Sequence, residues 1–207
     1  MRNKIFIIVV FVLILIVGLS IGWSLGRGKP GGDSYLGQNG NGGESQESVG
    51  AAQEDETLNK DGFSVMMPRG WKEVTAPTGV SAMVANAGEE ISDPSLQKIN
   101  FKSYYSVSYD ALGERTIEEY INYIKDMVKQ FAPGIVFSSE EDLNINGREA
   151  HKIEADLNQQ GADFKVLIFL IRGNGSDIWN MSFNSGLGNW EKNAGEFKKI
   201  AESFIIK

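Results

Sequence analysis

Apolar and polar positions divide the chain into three regimes. Residues 5 to 17 (IFIIVVFVLILIV) are apolar without a break, and Gly18-Leu19-Ser20-Ile21-Gly22-Trp23-Ser24-Leu25 carries the uncharged run to residue 25. About 20 such residues cross a hydrocarbon core as a helix, so residues 5–25 are predicted to form a transmembrane helix. Trp23 falls where an interfacial aromatic anchors the outer end, and residues 1–4 make a short basic start. Arg2, Lys4, the apolar stretch and the small residues Gly18, Ser20 and Gly22 also fit a cleaved secretory signal. The continuation of the apolar run past a signal's usual core favours a retained signal anchor. Arg27 and Lys29 beyond the span leave little charge asymmetry, so the signal-like shape sets the expected orientation. That orientation is a single pass with the N-terminus cytoplasmic and the C-terminal part outside.

Residues 26–59 have neither helical nor strand periodicity. Glycines alternate with Asn, Ser and Gln before Glu54-Asp55-Glu56, a composition that cannot bury a core and reads as a flexible linker. Its typical span would be roughly 30 Å.

Residues 60–207 carry the periodicity of a folded domain. Phe63, Val65 and Met67 alternate, and Pro68-Arg69-Gly70 then turns the chain into Trp71. Val80 to Ala85 is a second strand. Ile99 to Tyr109 is a longer one, with Ile99, Phe101, Tyr105, Val107 and Tyr109 on one face. Thr116-Ile117-Glu118-Glu119 is a capping box ahead of an apolar stripe of Ile117, Tyr120, Ile121, Ile124, Val128 and Phe131, and Ala132-Pro133-Gly134 stops that helix. Ile135–Ile145 and Arg148–Leu157 are strands joined by Asn146-Gly147, whose positive φ angles suit a tight hairpin. Phe164–Ile171 is apolar on both parities and needs cover on both faces of its sheet. Ile178–Asn184 points Trp179, Met181 and Phe183 inward. A last helix aligns Trp190, Ala194, Phe197, Ala201 and Phe204. The class is α+β, an antiparallel sheet between helices.

Composition removes whole classes of chemistry. With 20 Lys+Arg against 27 Asp+Glu the net charge is −7, which argues against a nucleic-acid partner. No cysteine means no disulfide, no thiolate metal site, no thiol nucleophile and no lipid-modified N-terminus; a single histidine excludes any site needing two imidazoles.

The GFSVMMPRGW opening (Phe63, Val65, Met67, Pro68, Gly70, Trp71), the TIEEY helix, the INGREA hairpin with Ala150 behind its turn and the closing FKKIAESF helix resemble the PsbP-like group of the Mog1/PsbP fold. The resemblance spans about residues 60–205. It implies a six-stranded antiparallel sheet flanked by helices, an α/β/α sandwich preceded here by one transmembrane helix. It also implies a role as an accessory partner of larger assemblies. Photosystem-linked members are usually lumenal or Cys-anchored; the peptide anchor and long tether here argue against a photosynthetic role.

Each candidate site has a structural reading beside the functional one. Asp142, Asn144, Asn146 and Gly147 match the first half of a calcium loop, but Ile153 stands where the bidentate Glu belongs; the hairpin reading is preferred. Glu140-Glu141-Asp142 and Glu89-Glu90 with Asp93 are acidic runs that read as solvated surface before they read as cation sites. His151 shares parity with Ile153, Ala155 and Leu157 and is expected at the core or its edge, as a satisfied structural histidine. Trp71, Trp179 and Trp190 are core positions. Arg172-Gly173-Asn174-Gly175-Ser176-Asp177 lacks the phosphate-loop pattern and is a hairpin loop. Asn174 and Asn180 begin glycosylation sequons. Tyr104, adjacent to Tyr105, is expected to face outward among Lys102 and Ser106 and to serve as a partner contact.

No catalytic set, cofactor site or metal site emerges, so the chain is expected not to be an enzyme. The leading expectation is a membrane-anchored, extracytoplasmic protein-interaction module with an unidentified protein partner. The alternative is a binder of a small ligand or divalent cation in a cleft between sheet and helix. An apolar cavity with converging polar groups favours the second, and an exposed aromatic patch favours the first.

Overall fold

The computed structural model describes residues 55–207. The expected transmembrane helix 5–25 and all but the end of the linker lie outside the described residues. Among the described residues, no helix is long and apolar enough to cross a membrane. The strands are β1 (Glu56–Lys60), β2 (Phe63–Met67), β3 (Trp71–Glu73), β4 (Ala82–Asn86), β5 (Tyr104–Ala111), β6 (Val136–Ile145), β7 (Arg148–Gln159), β8 (Ala162–Arg172), β9 (Asp177–Gly186) and β10 (Ile205–Ile206). The helices are α1 (Pro94–Lys98), α2 (Ile117–Phe131) and α3 (Trp190–Glu202).

The main sheet has seven strands in the order β3-β4-β5-β9-β8-β7-β6, with every neighbouring pair antiparallel. A second sheet, β1-β2-β10, is also antiparallel. This corrects the expectation of six strands. At Pro68-Arg69-Gly70 the Trp71 amide bonds back to the Pro68 carbonyl at 3.0 Å, and Gly70 takes φ +83°. That turn redirects the chain, so β2 stays in the small sheet and β3 joins the edge of the large one. The linker boundary also moves, since β1 begins at Glu56 inside the expected linker and is held by its pairing with β2.

β8 sits two strands from the β6 edge and is apolar on both faces for the reason anticipated. Val166, Ile168 and Leu170 belong to one core layer with Tyr120, Ile121, Ile124 and Val128 of α2. Leu167, Phe169 and Ile171 belong to a second layer with Phe197, Ile200 and Ala201 of α3 and with Phe63 and Val65 of the small sheet. At about 25 cal/mol per Å² of apolar surface, these two layers supply the main stabilisation of the domain. Trp71 and Trp179 are buried in the second layer, and Trp190 packs half-buried at its margin.

The strand expected from Ile99 is shorter. Asp93 caps α1, accepting from the Ser95 amide at 2.7 Å, and Asn100 then turns left-handed at φ +49°. β5 therefore starts at Tyr104, and Phe101 lies in the first layer while Tyr105 and Val107 lie in the second. Gly186, at the end of β9, lets α1 approach closely, because a Cβ there would stand 2.3 Å from Leu96 Cδ1.

Candidate cleft between helix α2 and the sheet

The N-terminal half of α2 is held in place by its cap. The Glu119 amide donates to Thr116 Oγ1 at 3.2 Å and the Thr116 amide donates to the Glu119 carboxylate at 2.8 Å. Lower on the helix, Tyr120 Oη donates to buried Asp110 at 2.8 Å, tying α2 to β5. Burial and that carboxylate push the Tyr120 phenol up.

Beyond this seam α2 and the sheet diverge. They leave a cleft of about 470 Å³ lined from the helix by Ile117, Glu118, Ile121 and Asn122, and from β6, β7 and β8 chiefly by Glu140, Asp142, Glu149, His151, Leu170 and Arg172. Cross-strand register explains the floor: Asp142 pairs with His151 and His151 with Leu170, so the three form one row on the face that α2 covers. His151 thus lies at the edge of the first core layer, on the parity of Ile153, Ala155 and Leu157, as its sequence position implied.

Both imidazole nitrogens face carboxylates. Nδ1 is 2.6 Å from Asp142 Oδ1 and Nε2 is 3.3 Å from Glu140 Oε2. The Lys125 ammonium, from α2, also donates to Glu140. These hydrogen bonds, Lys125 first, hold the Glu140 carboxyl below the usual carboxylate range. Glu118, Glu149 and Arg172 make no ion pair among the described residues.

The remaining candidates do not join this cluster. Asn146 turns away from Asp142, and its Nδ2 donates to the Glu202 and Phe204 carbonyls at 2.8 Å each. Asn144 accepts from the Gly147 amide at 2.8 Å, and Asn146 and Gly147 take φ +50° and +82°. The segment is a hairpin whose oxygens diverge. Among the described residues, no group of three or more His, Asp or Glu side chains is arranged to hold a metal ion. Asn180 is buried within β9, whereas Asn174 is exposed in the β8–β9 loop.

Tyr104 does not face outward. It is 1 % exposed, in the first core layer, with its ring edge-on to Phe101 at 6.2 Å between centroids. Burial raises its phenol pKa. The exposure on which its expected partner-contact role rested is absent, because both faces of β5 are covered.

Glu89, expected within a solvated acidic run, is instead a buried carboxylate. Glu89, 4 % exposed, accepts from the Ser103 amide at 2.5 Å, Ser103 Oγ at 2.7 Å, Asn189 Nδ2 at 2.7 Å and Asn193 Nδ2 at 3.0 Å. Its charge lies at the N-terminus of α3, where the helix dipole favours it. Asn193 stands on the stripe of Phe197 and Ile200, and that buried amide was the available signal.

No protein-family model matches the chain, and neither does any curated protein sequence. Solved structures do match. Cyanobacterial PsbP (CyanoP) from Synechocystis sp. PCC 6803 superposes with a TM-score of 0.56 at 16% identity, covering 83% of this chain and 99% of that one. The fold is Mog1/PsbP-like. LpqN of Mycobacterium tuberculosis, involved in cell envelope biogenesis, matches at TM-score 0.57 and 12% identity, covering 74% of this chain and 91% of that chain. PA94, a protein of unknown function from Pseudomonas aeruginosa, matches at TM-score 0.51 and 13% identity over 75% of this chain and 99% of that one. At such identities the likeness is one of Mog1/PsbP architecture.

Proposed function

We propose that this chain is a non-enzymatic binding module that takes its ligand in the cleft between α2 and the sheet, held at a membrane by residues 5–25 and displayed outside the cytoplasm on its linker. The observation that carries the reading is the cleft itself, with Ile117, Ile121 and Leu170 set among convergent polar side chains. Concave, partly apolar sites with a few placed polar groups are where small ligands bind. A docking role through an aromatic surface has less support, because Tyr104 is buried. A hydrolytic role has less support as well, because the hydrogen-bond partners of His151 are carboxylates and not a hydroxyl nucleophile. Tethering raises local concentration, so modest affinity suffices for a ligand found at the membrane.

The test uses the full-length chain in detergent micelles and its Asn122→Trp variant, which fills the cleft from an exposed rim position. Thermal melts are recorded against a panel of small amines, carboxylates and polyols. At least one compound raises the wild-type midpoint by several degrees and leaves the variant unmoved. A panel without effect, or with the same effect on both proteins, refutes the reading. Intact mass of protein extracted from membranes tests the anchor, which requires residues 1–25 to be retained.

A further inference from the structure

We infer that the ligand of this cleft is an alkyl cation, an aliphatic chain of a few carbons ending in an ammonium or guanidinium group. The inference rests on the reading of the cleft as the binding site and specifies its chemistry.

The walls set two requirements at once. Ile117, Ile121 and Leu170 offer apolar surface that a hydrated ion cannot use and a methylene chain can. Around them stand four carboxylates, Glu118, Glu140, Asp142 and Glu149, against the Arg172 guanidinium and one imidazole. A cleft lined mainly by one sign of charge focuses its field on a counter-ion.

Glu140 and Asp142 already hold His151, and Lys125 takes a further share of Glu140. Glu118 and Glu149 keep their acceptor capacity, having no ion pair among the described residues. The unmet groups beside the apolar floor are therefore mostly acceptors. Ammonium and guanidinium groups are donors only, carrying three and five N–H bonds respectively.

The alternatives fit less well. An anion would meet four carboxylates. A wholly apolar ligand would leave the exposed carboxylates of Glu118 and Glu149 without a partner and gain nothing from them. A metal ion needs ligands that converge, whereas Asp142 and Glu140 approach opposite nitrogens of one ring.

The test titrates three probes of equal length into the full-length protein in neutral-headgroup nanodiscs by calorimetry: 1,5-diaminopentane, 1,5-pentanediol and glutarate. A fourth arm uses a short lysine-containing peptide with blocked ends, which separates a free amine from the side chain of a protein partner. The diamine or the lysine peptide binds at least tenfold tighter than the diol, and glutarate does not bind. The double variant Glu118→Gln, Glu149→Gln weakens the cation by about tenfold or more, in keeping with charge-assisted hydrogen bonds. Asn122→Trp abolishes binding, and the thermal midpoint of each variant verifies its fold. If the diol or glutarate binds as tightly as either cation, and Asn122→Trp still blocks it, the cation inference falls while the cleft remains a binding site. If none of the four probes binds, both fall.

Discussion

Glu89 holds a carboxylate inside the fold with only neutral donors around it: a backbone amide, a serine hydroxyl and two asparagine amides. Glu89→Gln turns an N–H₂ group toward donors that then lack an acceptor. It is expected to lower stability by about 2 kcal/mol, read as a shift in the urea midpoint at constant slope. At the cleft, the Glu140 pKa is lower in the folded protein than in the unfolded chain. Glu140 therefore adds stability above the unfolded carboxylate pKa, and that contribution is lost as pH falls through the folded value. Lys125→Met removes the largest cause, so wild type and variant are expected to differ at pH 7 and converge toward pH 3 in denaturant melts. Because the pair is partly exposed, the neutral-pH difference should stay below about 1 kcal/mol. Single residues were also where sequence reasoning was least complete. Tyr104 and Ser106 looked like the solvent side of an alternating strand, yet both are buried. Alternation distinguishes the two faces of a strand but not whether a helix lies over the polar one.

Among the elements, α2 and the β6–β7 hairpin were the most legible, because their signals are local. A capping box and a 3.6-residue stripe define the helix, and Asn-Gly defines the turn. Short elements with weak apolar periodicity were not legible. β1 is a polar strand with one buried side chain, β3 has three residues, and α1 is a single capped turn pressed against Gly186. His151 could be placed on the correct parity, but the cleft around it could not be assembled, since Glu118 and Arg172 come from separate elements. The cap matters to the cleft because it fixes the turn that presents Ile117 and Glu118. Thr116→Ala is expected to cost about 1 kcal/mol in stability. Fraying of that turn should weaken ligand binding as well, which calorimetry on the same variant would register.

For the molecule as a whole, two sheets share one core layer, and the small sheet joins the start of the domain to its end. Ile205 and Ile206 pair with Ser64 and Phe63, and the Lys207 amide donates to the Gly62 carbonyl at 3.0 Å. Deleting residues 205–207 exposes that edge of β2. Amide exchange in β1 and β2 is then expected to accelerate more than tenfold, while the inner strands β8 and β9 keep their protection. Glu56 and Met67 pair at the open end of the β1–β2 hairpin, opposite its turn. Tension entering through residue 55 therefore loads this hairpin in the unzipping direction, where its hydrogen bonds break sequentially. Leu58 is the one β1 side chain in the buried core. Under a pull between residue 55 and the large sheet, β1 is the mechanical fuse: it is expected to peel away at low force while the seven-stranded sheet stays whole.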